Sequence, residues 1–198
     1  MPHPLRSVAV FCGSQSGTSP AHAAAARALG AGLAAEGLAL VYGGGGVGLM
    51  GAVAQAALAA GGAVHGIIPS FLLRAERPPP GGLTSLEEVP SMHIRKTRMF
   101  EMADAFIALS GGLGTLDELV EIITWRQLGL HDKPVLLLDI EGWAQPFVAL
   151  VQAMTQQGFV YGAGRQLFQV APGVEDALAL LRAAAPSNQA LASQAARL

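Results

Sequence analysis

Residues 41–51 read VYGGGGVGLMG, and Gly46-Val47-Gly48-Leu49-Met50-Gly51 within them spells G-x-G-x-x-G. The apolar run Leu38 to Tyr42 leads into these glycines and an Ala-rich stretch over 48–60 leaves them, so the segment reads strand, glycine turn, helix. The same order recurs on both sides. Upstream, Ser7 to Cys12 ends in the turn cluster Gly13-Ser14-Gln15-Ser16-Gly17, and Pro20 opens an Ala-rich helix reaching Glu36. Downstream come a strand over Ala63 to Ile68, a loop at RPPPGG (77–82), and a helix from an N-cap at Ser91 to about Met102. A strand over Ala105 to Leu109 enters a second glycine loop, Ser110-Gly111-Gly112-Leu113-Gly114, which opens a helix over about 115–128. A strand over Val135 to Leu138, a helix, a short strand near Leu167 to Val170 and a closing helix complete the chain. Six short apolar strands alternating with helices predict an α/β fold, a Rossmann-like parallel sheet with helices on both faces. Residues 1–186 read as one nucleotide-binding domain, and PSNQALASQAARL ends in a tail over 187–198.

A chain of 198 residues suits one such domain. Its 52% hydrophobic and 13% charged composition points to an exterior partly hidden in an oligomer. A formal charge of -2 without Lys/Arg runs argues against nucleic acid as partner. The single cysteine, Cys12, excludes an internal disulfide and fits a reducing compartment. The segment MPHPLRSVAV lacks the basic region and apolar run of a signal peptide, and no apolar run reaches the length of a membrane span. The expectation is a cytoplasmic protein with no membrane partner.

The fingerprint at 46–51 would place a phosphate against a helix N-terminus. A dinucleotide site also needs an acid about 20 residues on, at the end of the next strand. No Asp or Glu occurs between Gly51 and Glu76, and the loop follows the second strand, not the first. The dinucleotide reading, and with it an oxidoreductase, falls away. Two readings stay open: glycines that let strand and helix pack closely, and a wall for a mononucleotide phosphate or sugar.

In the second loop, SGGLGTLDE (110–118), Asp117 is accounted for as a partner of the helix dipole. Leu116, Leu119, Val120 and Ile123 mark a buried face at helical spacing, so Glu118 is expected to project off it, near the loop mouth. There it would act on a sugar attached to a phosphate held by the loop. MHIRKTR (92–98) brings positive charge to the head of the preceding helix; Arg95 and Lys96 are either solvated surface or anion ligands, and only Arg95 can clamp a phosphate bidentately.

Together, CGSQSG (12–17), VYGGGGVGLMG (41–51), GGAVHGIIP (61–69), MHIRK (92–96) and the run 104–138 resemble the LONELY GUY (LOG) family. These are cytokinin riboside 5'-monophosphate phosphoribohydrolases, once labelled possible lysine decarboxylases. The resemblance covers about residues 6–182. The family pattern M-H-x-R-K then P-G-G-x-G-T-x-x-E is matched at Met92, His93, Arg95, Lys96, Gly111, Gly112, Gly114, Thr115 and Glu118, with Ser110 where the family usually has proline. The resemblance implies hydrolysis of the N-glycosidic bond of a nucleoside 5'-monophosphate by a homodimer, without cofactor or metal. It implies Arg95 and Glu118 as the catalytic pair, and Gly111, Gly112, Gly114, Thr115 and Lys96 around the phosphate. Gly13, Ser14, Gly44, Gly45 and Met92 would line the rest of the site; Glu76 would contact ribose or base, and Thr124 is either a further candidate or a helix residue facing the core. A nucleotide or nucleotide-cofactor carrier of the same fold is the alternative.

Other residues carry less. His3, His22, His65, His93 and His131 show no ligand spacing. His93 is either a structural hydrogen-bonding residue or a ligand contact. Cys12 reads as a small core residue and not a nucleophile. Trp125, Trp143 and Phe147 read as core or interface. A decarboxylase would need a Schiff-base lysine, and Lys96 and Lys133 are the only lysines, neither in a suitable cradle.

Overall fold

The computed structural model describes residues 5–160 and 167–184. Along the chain lie β1 (Ser7–Phe11), α1 (Pro20–Ala35), β2 (Ala39–Tyr42), α2 (Gly48–Ala59), β3 (Val64–Pro69), α3 (Leu73–Glu76) and β4 (Ser85–Val89). After these come α4 (Met92–Met102), β5 (Ala105–Ala108), α5 (Leu113–Gln127), β6 (Val135–Leu138), α6 (Gln145–Gln156), β7 (Gln169–Ala171) and α7 (Val174–Ala184). The strands form one sheet in the order β4-β3-β2-β1-β5-β6-β7, every pair parallel.

Sequence chemistry sets the boundaries. Ser19 caps α1 by accepting the Ala21 N–H, with Pro20 at the first helical position; Ser91 caps α4 by accepting the Ile94 N–H. Successive strand residues face opposite sides, and β1 divides accordingly. Val8 and Val10 join α1, α2 and α7 in one core, while Ala9 and Phe11 join Met99 of α4 and Leu119, Ile122 and Ile123 of α5 in the other. The chain moves outward from β1 to β4 and then returns to β5 on the other side of β1; α1 and α2 of the outward leg cover one face, α4 and α5 cover the other, and α7 crosses back to the side of α1.

The sheet has seven strands, not the expected six. The additional strand is β4, SLEEV, whose only buried residue is Val89. It is an edge strand, aligned His65↔Ser85 to Pro69↔Val89 on β3, and its charges blunt an open edge. Helix α5 begins two residues earlier than expected, at Leu113. The expected tail, 187–198, lies outside the described residues.

Candidate active site

The strand order reverses between β1 and β5, and in open α/β sheets ligands bind at the carboxyl ends of the strands at such a point. A cavity of about 460 Å³ opens there. The turn 12–17 after β1 and the loop 110–115 after β5 line it, together with Leu49, Met50, Glu76, Met92, Arg95, Glu118, His22 and Trp143.

Glu118 is on the buried face of α5, with Thr115, Leu119, Ile122 and Ile123, and not off it as expected; Val120, assigned to that face, is 47% exposed. The helix turns a mixed face inward where Thr115 and Glu118 line the cavity. Arg95 on α4 is 6% exposed, Glu118 7%, and Nη2 of one is 3.9 Å from Oε1 of the other. That is an ion pair beyond hydrogen-bond length. The guanidinium is held otherwise by one weak bond, Nη1 to Met92 Sδ at 3.7 Å, and its Nε has no partner among the described residues. Burial pushes the Glu118 carboxyl up to about 7 despite the opposing charge of Arg95. Burial also raises Glu76, again against Arg95, and raises the Cys12 thiol, which stays protonated.

The two glycine loops differ. The first turn of α2 is already used: the Leu49 and Met50 N–H groups donate to the Gly13 carbonyl at 3.0 and 3.3 Å, and Gly51 N–H to Val47 O at 3.0 Å. Gly48, at φ +56, lies so close to the preceding loop that a Cβ would sit 2.3 Å from Ser14 C. The fingerprint therefore packs loop against loop. Gly43 has a further task, because a Cβ there would lie 1.6 Å from Arg95 Nη2. At α5, by contrast, the N-cap Gly112 supplies no side-chain bond, and the first-turn N–H groups of Leu113, Gly114 and Thr115 have no intrahelical partner. That turn lines the cavity. Two bonds fix the loop from behind, Gly13 N–H to Ser110 O and Trp143 Nε1–H to Gly111 O, each 3.0 Å.

Of the residues singled out from sequence, Gly13, Ser14, Glu76, Met92, Arg95, Gly111, Gly112, Gly114, Thr115 and Glu118 meet in the cavity. Gly44, Gly45, Lys96 and Thr124 are not among its lining residues. Gly44 packs toward Ile68, and Gly45 backs Met50 and Glu76. Lys96 faces α5 outside the cavity, its side chain largely buried and paired with Asp117 at 3.0 Å and Glu121 at 3.2 Å. Thr124 is exposed, not core-facing, and its hydroxyl donates to Val120 O. Lys133 donates to Phe100 O at 2.8 Å and lies over the Phe100 ring, so neither lysine reaches the cavity. His22, Cys12 and Trp143 line the site although sequence reasoning passed them over. Only Cys12, directly before the Gly13 turn, carried a local signal.

Residues 50–181 match the family model described as "Possible lysine decarboxylase". The chain is 43% identical over 185 residues to the probable cytokinin riboside 5'-monophosphate phosphoribohydrolase LOGL1 of Oryza sativa subsp. japonica, covering 93% of this chain and 82% of that one. The chain belongs to the LOG family. A bacterial relative, the cytokinin riboside 5'-monophosphate phosphoribohydrolase of Rhodococcoides fascians, is 42% identical over 89% of each chain. The LOG architecture is shared with the molybdenum cofactor binding protein of Rippkaea orientalis, at a TM-score of 0.67 and 23% identity over 90% of this chain and 96% of that one, a likeness of fold alone.

Proposed function

We propose that the protein hydrolyses the N-glycosidic bond of adenosine 5'-monophosphates, N6-substituted ones among them, to free base and ribose 5-phosphate. In this reading it serves cytokinin activation or AMP-type nucleotide hydrolysis. The observation that carries it is the buried Arg95–Glu118 pair, 3.9 Å apart in a cavity rimmed by the unpartnered N–H groups of α5. The names of the relatives support it.

The 5'-phosphate sits on the first turn of α5, where N–H groups and the helix dipole meet a dianion. As the C1'–N bond breaks, positive charge develops on the ribosyl ring, and the Glu118 carboxylate opposes it. The same carboxylate takes a proton from the attacking water, whose oxygen bonds C1'; the departing base nitrogen takes a proton from solvent water, and Glu118 returns its own to solvent, so that one water is consumed and the base leaves neutral. Arg95 favours the Glu118 anion against the effect of burial. Ser14 and Met92 line the nucleotide, and Glu76 contacts ribose or base.

The protein works as a cytoplasmic homodimer, with residues 1–186 as one unit. The free thiol of Cys12 and the apolar exposed flank of α5, where Leu113 is 86% exposed beside Val120 and Leu128, support this assignment. Among the described residues no helix is long and apolar enough to cross a membrane.

Incubating purified protein with AMP and isopentenyladenosine monophosphate, and measuring free base by chromatography, tests the reaction and ranks the two bases. Base is released from monophosphates and not from the unphosphorylated ribosides. Glu118→Gln lowers kcat about 1,000-fold while nucleotide still binds; full turnover in that variant ends the mechanism. Nucleotide retained without base release identifies a carrier instead, for which the Arg95–Glu118 pair has no task.

A further inference from the structure

With Lys96 engaged outside the cavity, the only ionisable nitrogen among the described lining residues besides Arg95 is on His22, in the first turn of α1. Its Nδ1 is 2.8 Å from Ser110 Oγ, and its Nε2 is 3.9 Å from Glu141 Oε2, beyond hydrogen-bond reach. Ser110 is buried, its carbonyl accepts the Gly13 N–H, and Gly111 follows it directly into the loop that meets the phosphate. The imidazole is thus bonded to the residue that begins this loop, and ring and loop line the same cavity. Position 110 is where the chain departs from the LOG pattern: the usual proline has no hydroxyl to offer an imidazole.

The opposite side of the ring is also constrained. Glu141 stands at φ 52 in a 3-10 turn (Ile140–Gly142), a left-handed conformation that non-glycine residues rarely hold without a structural or functional reason. Two residues on, Trp143 donates to Gly111 O. The same strained turn therefore supports the loop and brings a carboxylate near the ring.

We propose that Ser110 and His22 form a phosphate-binding unit. The Ser110 O–H donates to Nδ1, which selects the tautomer protonated at Nε2. Nε2–H then donates to an oxygen of the 5'-phosphate seated on α5. The unit supplies at the cavity the contact that the motif assigned to Lys96. It rests on the phosphoribohydrolase reading, since the phosphate is what it recognises.

Calorimetric titration of the full chain with ribose 5-phosphate, and with adenosine as a phosphate-free probe, tests it without depending on turnover. His22→Ala weakens ribose 5-phosphate about tenfold, as for loss of a hydrogen bond to a charged group, and leaves adenosine within about twofold. Ser110→Pro restores the family residue and a stiff loop but removes the hydroxyl; it weakens ribose 5-phosphate about threefold, a loss that loop rigidity alone would not produce. Unchanged ribose 5-phosphate affinity in His22→Ala, an equal loss for adenosine, or wild-type affinity in Ser110→Pro each overturns the unit. If the wild type fails to bind ribose 5-phosphate, the phosphoribohydrolase reading falls too; if it binds and the variants match it, only the Ser110–His22 unit falls.

Discussion

The loops at 43–51 and 110–115 are alike in composition and opposite in use. Each is glycine-rich, follows a central parallel strand and opens a helix. At α2 the first-turn N–H groups are spent on the Gly13 carbonyl, and the glycines admit Ser14 and the Arg95 guanidinium at distances no Cβ would allow. At α5 the first-turn N–H groups face a cavity, and a carboxylate is buried one turn further on. A glycine loop before a helix is thus an anion site only when its amides are left over after packing. Gly43, just before the fingerprint, makes room for the Arg95 guanidinium, and the fingerprint at 46–51 packs against the loop after β1; the loop at 110–115 faces the cavity.

The largest expected difference between the two lies in the charge that α5 buries. Glu118 titrates at about 7 in the folded protein against 4.5 for an ordinary glutamate, so its contribution favours folding at low pH and is lost as pH rises through about 7. Thermal unfolding should therefore show Glu118→Gln gaining on the wild type between pH 5 and pH 8, by about 3 kcal/mol. A constant gap would mean that Glu118 ionises normally and that the second loop is no more specialised than the first. Next comes the seat for Arg95. Gly43→Ala should lower kcat about 100-fold, the scale of a 1 Å misplacement of a catalytic group, and the loss should vanish in an Arg95→Lys background, which has no Nη2 to displace. Additive losses would return Gly43 to plain packing. The smallest effects come from a matched pair. Leu113→Pro deletes one first-turn amide of α5 at a position that tolerates proline, after an extended Gly112, and should raise KM for the monophosphate about tenfold with Tm nearly unchanged. Gly48→Ala should do the reverse, costing about 1–3 kcal/mol of stability and leaving ribose 5-phosphate affinity within about twofold. If both act on KM, the contrast between the loops is wrong.

Much of this was readable from residue order. The runs SVAVF, ALVY and AFIA are short, apolar and closed by glycine or serine turns, which is what a strand buried on both faces requires. SLEEV escaped because an edge strand with a single buried residue carries no apolar alternation. Arg95 and Glu118 were legible as residues of one site, and both line the cavity, but Glu118 was not legible as burial: helical periodicity counts a glutamate as outward-facing. Lys96 shows the reverse error. Arg95 is buried at the cavity, while Lys96, about 100° further round the helix, turns to the carboxylates of α5. His22 and Trp143 reach the cavity from segments far from either loop in sequence, and no local pattern joins them to it.

The bond from Trp143 to Gly111 O has a use outside catalysis. The chain has two tryptophans; Trp125 packs edge-on against Phe100, with ring centroids 4.9 Å apart, while the Trp143 indole is bonded to the loop at the cavity. A dianion bound at that loop, as proposed, would change the field along one indole and leave the other in its apolar contact. Occupancy should then be readable as a shift in emission, without label or substrate turnover.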